Sequence, residues 1–264
     1  MIIEIRSLTR RFGSLTAVDS LSLSIEAGEV FGLLGTNGAG KTVTVKMLTT
    51  LLPPSSGEAF VDGFNVTREA GLVRRRIGYV PQMLSADGTL TGFENLLVFS
   101  ELYDVPRRER KRRIEDALEF MGLTDVRGKL VRHYSGGMVR RLEIAQSILH
   151  RPRVLFLDEP TVGLDPLGRR LVWELLEKLR SDYGTTIFLT THLMDEADRL
   201  SSRIAILAGG KVVAQGTPAE LKRAIGVEGA TLDDVFIHYT GGQIGPGGTF
   251  FEASRTREAE RRHG

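Results

Sequence analysis

The stretch GTNGAGKT, residues 35–42, follows the apolar run EVFGLL and precedes a helical pattern. It therefore specifies a strand, a glycine-rich turn and a helix in immediate succession. The octet fits GxxxxGKT. In this reading Gly35, Gly38 and Gly40 let backbone N–H groups turn inward, with Thr36, Asn37 and Ala39 between them, and the helix N-terminus adds partial positive charge. Lys41 is placed to reach the β- and γ-phosphates of a nucleotide and Thr42 to ligate magnesium. The plainer alternative is a glycine turn at a helix start. A phosphate loop alone leaves kinases, GTPases, helicases and transport ATPases open.

The rest of the chain extends the same alternation. EVFGLLG, RVLFLDEP, TTIFLTTH and RIAILAGGKVVAQG read as strands, separated by helical patterns, which indicates an α/β fold with a mainly parallel sheet. The first three end in residues able to do chemistry, and parallel sheets bind ligands at strand carboxyl ends. The first 30 residues read as β-rich, and SGEAFVDGFNV at 56–66 as a hairpin. A charged, helical region at about 83–150 reads as a lobe inserted into the sheet domain. In it Ile114, Ala117, Leu118 and Met121 recur at helical spacing before Gly122. The expected division is one domain over 1–240 and a glycine-rich, then charged, flexible tail over 241–264.

Composition removes several classes. A chain of 264 residues can bury a sizeable core. It has no cysteine, so disulfides, thiolate chemistry and cysteine-ligated zinc drop out. The net charge of +2 gives no general argument for nucleic acid. The basic strings RRR at 74–76 and RRERKRR at 107–113 read first as solvated helix faces, then as contacts to lipid head groups or an acidic partner. The N-terminus lacks the pattern of a secretory signal, and no apolar run approaches the roughly 18 residues of a membrane span.

VLFLDEP places Asp158 and Glu159 at the end of a buried strand, where Asp158 suits a magnesium site and Glu159 can orient and deprotonate an attacking water. Acids capping the next helix would give the same pair. YSGGMVRRLEIAQSIL, residues 134–149, adds a second anion-binding helix end: Ser135 as cap, with Gly136 and Gly137 leaving unhindered N–H groups in the first turn. One chain has no obvious need for two such ends unless the second serves a neighbouring copy.

With those motifs in order, residues 2–240 resemble the ATP-binding subunit of an ABC transporter. The resemblance implies a P-loop ABC ATPase fold, with an N-terminal antiparallel β subdomain and an inserted helical subdomain. It makes Gly35 to Thr42 the Walker A loop, with Val43 contributing its backbone N–H. Gln82 of YVPQ becomes the Q-loop glutamine, acting in catalysis and on the metal, and Ser135, Gly136 and Gly137 the signature that meets the nucleotide of the other subunit. Asp158 and Glu159 are then the Walker B pair, Asp165 the D-loop aspartate at the interface, and His192 the switch histidine. Phe12 stands where the family stacks an aromatic ring on adenine. Taken singly, Gln82 reads as a turn residue, Phe12 as core and His192 as a helix-start residue.

The family departures are Tyr134 and Met138 in place of the ends of LSGGQ, and Val43 where a second hydroxyl residue is usual. YSGGM and ATLDDVFIHYTG at 230–241 resemble the daunorubicin-resistance branch of drug and antibiotic exporters; by residue pattern alone, LDDVFIHY is a capped amphipathic helix. The implied ligands are ATP and Mg²⁺. The implied partners are a separate polytopic membrane permease and a second ATP-binding subunit, as a homodimer, at the cytoplasmic face of the membrane and without nucleic acid. The competing function is a soluble ABC-type ATPase acting on ribosomes or iron–sulfur assembly. A regulatory module that hydrolyses nothing conflicts with the presence of Glu159.

Overall fold

The computed structural model describes residues 1–241; of the tail expected over 241–264, all but Gly241 lies outside them. Strand β1 (Ile3–Phe12) returns as β2 (Leu15–Ile25), paired from Ile3↔Ile25 to Phe12↔Leu15. Gly13, at φ 56, supplies the left-handed residue that lets the hairpin close so tightly, and the turn presents Phe12 at its tip. β3 (Val30–Leu34) then leads into α1 (Lys41–Leu48). A hairpin follows, β4 (Ser56–Val61) and β5 (Phe64–Asn65), and completes an antiparallel sheet of order β2-β1-β4-β5.

The second half of the chain is built around a six-stranded sheet. α2 (Ala70–Arg76) runs into β6 (Ile77–Val80), after which α3 (Gly92–Leu102), α4 (Arg107–Phe120) and α5 (Gly136–Ile148) form the helical lobe before β7 (Val154–Asp158). α6 (Pro166–Tyr183), β8 (Thr186–Thr191), α7 (Met194–Leu200), β9 (Arg203–Ala208) and β10 (Lys211–Gly216) continue the alternation, and α8 (Pro218–Ala224) and α9 (Leu232–Thr240) finish it. The sheet order is β10-β9-β3-β8-β7-β6, parallel from β9 to β6, with β10 antiparallel on the β9 edge. The run 203–216 is therefore two strands of a hairpin, turned by Gly209 and Gly210 at positive φ.

Register decides where the chemistry can collect. Leu34 pairs with Thr191, Asp158 with Thr190, and Val80 with Leu157. The phosphate loop, His192, the Asp158–Glu159 pair and Gln82 thus leave neighbouring strands at one level. The strands are held by cores on both faces. Phe31, Phe156 and Phe188 stack beneath the antiparallel sheet and α1, with centroids 5.6 and 5.5 Å apart. On the other face Leu155, Leu157, Ile187 and Leu189 meet the helical lobe and α6. Each such side chain contributes about 1.5–3 kcal/mol on burial.

Local signals set the helices of the lobe. A capping box of Thr91 and Glu94 starts α3. In α4, Ile114, Ala117 and Leu118 face the core, and Gly122 at φ 61 follows its end. The basic string of α4 is partly engaged: Arg110 pairs with Glu101, and Arg113 with Glu109. α9 begins with a Thr231–Asp234 capping box and buries Leu232, Val235 and Phe236.

Candidate active site

The glycines of the loop do different work from one another. Gly38 and Gly40 sit at φ 82 and 108, and a Cβ on Gly40 would lie 2.5 Å from the carbonyl oxygen of Ala17, so no other residue fits there. Gly35 departs from the expected inward turn. Its N–H donates to Thr191 O at 3.3 Å, and a Cβ would meet Leu207 O at 2.7 Å, so this glycine is needed for close packing against the sheet. Ala39 also faces inward: its N–H donates to Thr36 O and its carbonyl accepts from Gly210. The first intrahelical bond of α1 is Thr44 N–H to Gly40 O, so the N–H groups of Lys41, Thr42 and Val43 precede the helix ladder.

A cleft of about 410 Å³ is lined by Phe12, Asn37, Gly38, Gly40, Lys41, Thr42, Val43, Gln82 and Glu159, along with Leu15 and Ala17. It joins the hairpin tip to the phosphate loop and the carboxyl end of β7. Phe12 is 43% exposed, with the Arg10 guanidinium 4.6 Å from its ring centroid. A larger volume lies between α2 and the end of α3, and a smaller apolar one beside Phe120 and Tyr183, but neither contains a residue of this cluster.

At the floor of the cleft three side chains converge on Glu159. Lys41 Nζ is 3.0 Å from Oε1, Gln82 Nε2 donates to Oε2 at 3.1 Å, and His192 Nδ1 stands 3.1 Å from Oε2 without the alignment of a hydrogen bond. Lys41 also donates to the carbonyls of Gly35 and Thr36, at 2.8 and 3.1 Å. Glu159 is buried and holds φ 49, a left-handed backbone that costs a non-glycine residue about 1–3 kcal/mol. Its N–H donates to both the carbonyl and the hydroxyl of Thr190, at 3.1 Å each, which fixes the strained turn. Neither acid of the pair caps a helix, which disposes of that alternative.

Asp158 is fully buried beside it. Oδ1 accepts from Thr190 Oγ1 at 2.6 Å and Thr42 Oγ1 at 3.1 Å, while Oδ2 has no partner. An unpartnered carboxylate oxygen in a buried site is costly, and together with the Thr42 hydroxyl it fits a hard cation that takes oxygen ligands. Magnesium usually needs only one or two protein carboxylates, since phosphates and water complete its shell. Because Gln82 gives its amide nitrogen to Glu159, its oxygen remains for such an ion. Burial, with the Asp158 charge nearby, pushes the Tyr79 hydroxyl up to about 12, so it stays a neutral phenol.

The signature residues lie elsewhere. Ser135 caps α5 by accepting from Met138 N–H at 3.3 Å, and Ser135 and Gly136 are exposed. A Cβ on Gly136 would approach Leu164 at 3.8 Å, and one on Gly137 would approach Gly168 at 3.6 Å. The start of α6 is therefore their neighbour, and there Asp165 caps the helix through Gly168 N–H at 2.6 Å. Tyr134 is buried and its hydroxyl donates to Val126 O at 2.8 Å, so the departure from leucine ties this end to the lobe. Residue patterns did not reveal Thr190, Arg140 or Glu143 as parts of the site. The threonine in LTTH and the i, i+3 pair in RRLE were the available signals.

Sequence and fold match known proteins over most of the chain. The family model described as ABC transporter matches residues 18–162. The chain belongs to the ABC transporter family. The daunorubicin/doxorubicin resistance ATP-binding protein DrrA of Streptomyces peucetius is 47% identical over 85% of this chain and 68% of its own length. The Nod factor export ATP-binding protein I of Ralstonia nicotianae is 43% identical over 83% and 68%. Among solved structures, the dimeric ATP-binding cassette MJ0796, in a post-hydrolysis state bound to ADP and Pi, superposes with a TM-score of 0.73 at 26% identity. That match covers 81% of this chain and 98% of the other. This chain is thus an ATP-binding subunit of the ABC type and an ATPase. No helix among the described residues is long and apolar enough to cross a membrane.

Proposed function

We propose that this ABC ATPase drives an exporter of drugs, antibiotics or similar hydrophobic compounds, docked at the cytoplasmic face of the membrane on a separate permease and working as a head-to-tail homodimer. The observation that carries the ATPase half is the convergence of Lys41, Gln82 and His192 on Glu159 beside Asp158. The dimer half rests on Ser135, Gly136 and Gly137, an exposed anion-binding end for which the cleft of the same chain has no use. The names of the two relatives, one for drug resistance and one for export, support the cargo class.

The residues divide the work as follows. Phe12 stacks on adenine, which is worth about 1–3 kcal/mol per base by analogy with base stacking elsewhere. The N–H groups of Gly38 and of Gly40 to Val43 hold the phosphates, and the phosphate oxygens draw Lys41 from Glu159. Thr42, Asp158 and Gln82 are the ligands for magnesium, which when bound offsets phosphate charge. Glu159 then orients water and takes its proton as the water oxygen bonds to the γ-phosphorus and the bond to ADP breaks. His192 contacts the γ-phosphate or the water, and Asp165 senses the partner across the interface. ATP favours the closed pair because it touches both subunits there, and hydrolysis withdraws that preference.

The test is to isolate the Glu159→Gln chain with MgATP from host membranes in mild detergent and identify what accompanies it by mass spectrometry. A polytopic membrane protein is the expected companion. Ribosomal or assembly proteins without one would replace the exporter reading with that of a soluble ABC ATPase.

A further inference from the structure

One face of α5 buries residues that a helix rarely buries. Arg140, Glu143 and Gln146, at i, i+3 and i+6, are each 2% exposed. Arg140 and Glu143 bind the connector between β6 and α3 directly, and Gln146 reaches it through Asn95 of α3. Arg140 Nη1 donates to Pro81 O at 2.7 Å and to Glu143 Oε2 at 3.0 Å, and Nη2 donates to Gln82 O at 2.7 Å. Glu143 Oε1 accepts from the Ser85 N–H and from the Ser85 hydroxyl. Gln146 donates to Asn95, which in turn holds Asp87 by its N–H and carbonyl.

The backbone that carries Gln82 is therefore gripped on both sides by the helix whose first turn carries Ser135. Arg140 lies five residues from that cap, about 7.5 Å along the axis. A buried ion pair gives little net stability, and apolar replacements of similar volume are often neutral or better. What no apolar pair can do is fork onto two successive carbonyls while holding an N–H three residues on.

We propose that Arg140 and Glu143 are positioning residues, a latch through which nucleotide engagement at Ser135 sets the place of Gln82 against Glu159. The latch joins the anion-binding end offered to the partner with the hydrolytic centre of the chain's own cleft. It rests on the head-to-tail reading above.

The experiment compares the full chain with Arg140→Met/Glu143→Leu, which removes both charges together and keeps apolar volume. The expected result is an unchanged melting temperature, a KM for ATP within about twofold, and a kcat lower by about 10- to 100-fold, the cost of a misplaced catalytic group. Amide exchange at residues 82–85 rises. If the double variant does not fold, Arg140→Lys, which keeps the charge but loses the fork, takes its place with the same readouts. Undiminished kcat in the folded variant overturns the latch. In parallel, Glu159→Gln is sized with MgATP. A monomer there overturns the head-to-tail reading and the latch's link to it, whereas a dimer with undiminished kcat in the variant overturns the latch alone.

Discussion

In the function proposed above, the N-termini of α1 and α5 each receive an anion, and they differ in what surrounds them. At α1 the chain supplies everything: a buried Lys41, the Thr42 hydroxyl, two carboxylates from β7 and an aromatic ring on a hairpin. At α5 it supplies a serine cap and two glycines facing outward, with the N-terminus of α6 alongside. In that proposal the first end is a whole site and the second is half of one. Such a division separates binding from commitment: the second end acts when the partner surface brings it a ligand.

The largest effect separates hydrolysis from binding at the complete end. Glu159→Gln keeps the shape and removes the base, and hydrolysis is expected to fall by about 10²- to 10⁴-fold with ATP affinity retained. Single-turnover hydrolysis and equilibrium binding on the same preparation check it, and unchanged turnover would remove Glu159 from the chemistry. Lys41→Ala is next. It takes away the one buried cation of the loop and is expected to weaken ATP binding by about tenfold or more, in line with about 1.5–3 kcal/mol for a hydrogen bond to a charged group. Titration with labelled ATP measures it. Equal loss in both variants would mean that the two residues act only as an ion pair.

How far the chain could be read depended on whether a contact was local. The phosphate loop, the cap at Ser135 and the Asp158–Glu159 pair are each written within a few consecutive residues, and the strands that carry them announce themselves as apolar runs. Their meeting at one sheet edge follows from parallel register, which the order of motifs suggested and the pairing of Asp158 with Thr190 makes concrete. What stayed hidden was set by distance along the chain. Thr190 supports Asp158 from 32 residues away, and Arg140 reaches Pro81 and Gln82 across 59 and 58. Gly35 was misread for the same reason: its need for no side chain comes from Leu207 on β9. Asp158, by contrast, was placed on the metal from sequence, and its lone Oδ2 fits that role.

Ser135→Ala tests the incomplete end. Loss of the cap is expected to cost about 1 kcal/mol of stability, seen in urea unfolding, because one N–H of the first turn loses its acceptor. ATP affinity of the monomer should not change, since Ser135 is absent from the cleft. Steady-state hydrolysis should fall at low protein concentration and recover in part as the concentration rises, because the partner's nucleotide has lost one contact. Hydrolysis independent of concentration in both proteins would make the two ends unconnected.

The smallest effect belongs to the far end of α5, where His150 offers a control on both anion sites. Its ring stacks on Tyr103 with centroids 3.9 Å apart, Nε2–H donates to Ile77 O at 2.9 Å, and Nδ1 has no partner. Burial pushes the imidazole pKa down, the Ile77 carbonyl opposes this, and the charge of Arg113 adds to it. With a depressed folded value, the unfolded chain binds a proton first as pH falls below about 6.5, so this contribution to stability is whole above that pH and declines below it. The wild-type melting temperature should therefore fall more steeply than that of His150→Gln between pH 7.5 and 5.5, by about 2–4 °C for each 1 kcal/mol involved. ATP affinity at pH 7.5 should be the same in both, because the ring touches neither helix N-terminus. Parallel melting curves would show that His150 takes up its proton over the same pH range folded and unfolded, and a change in ATP affinity would mean that the two ends of α5 are coupled through more than the cap.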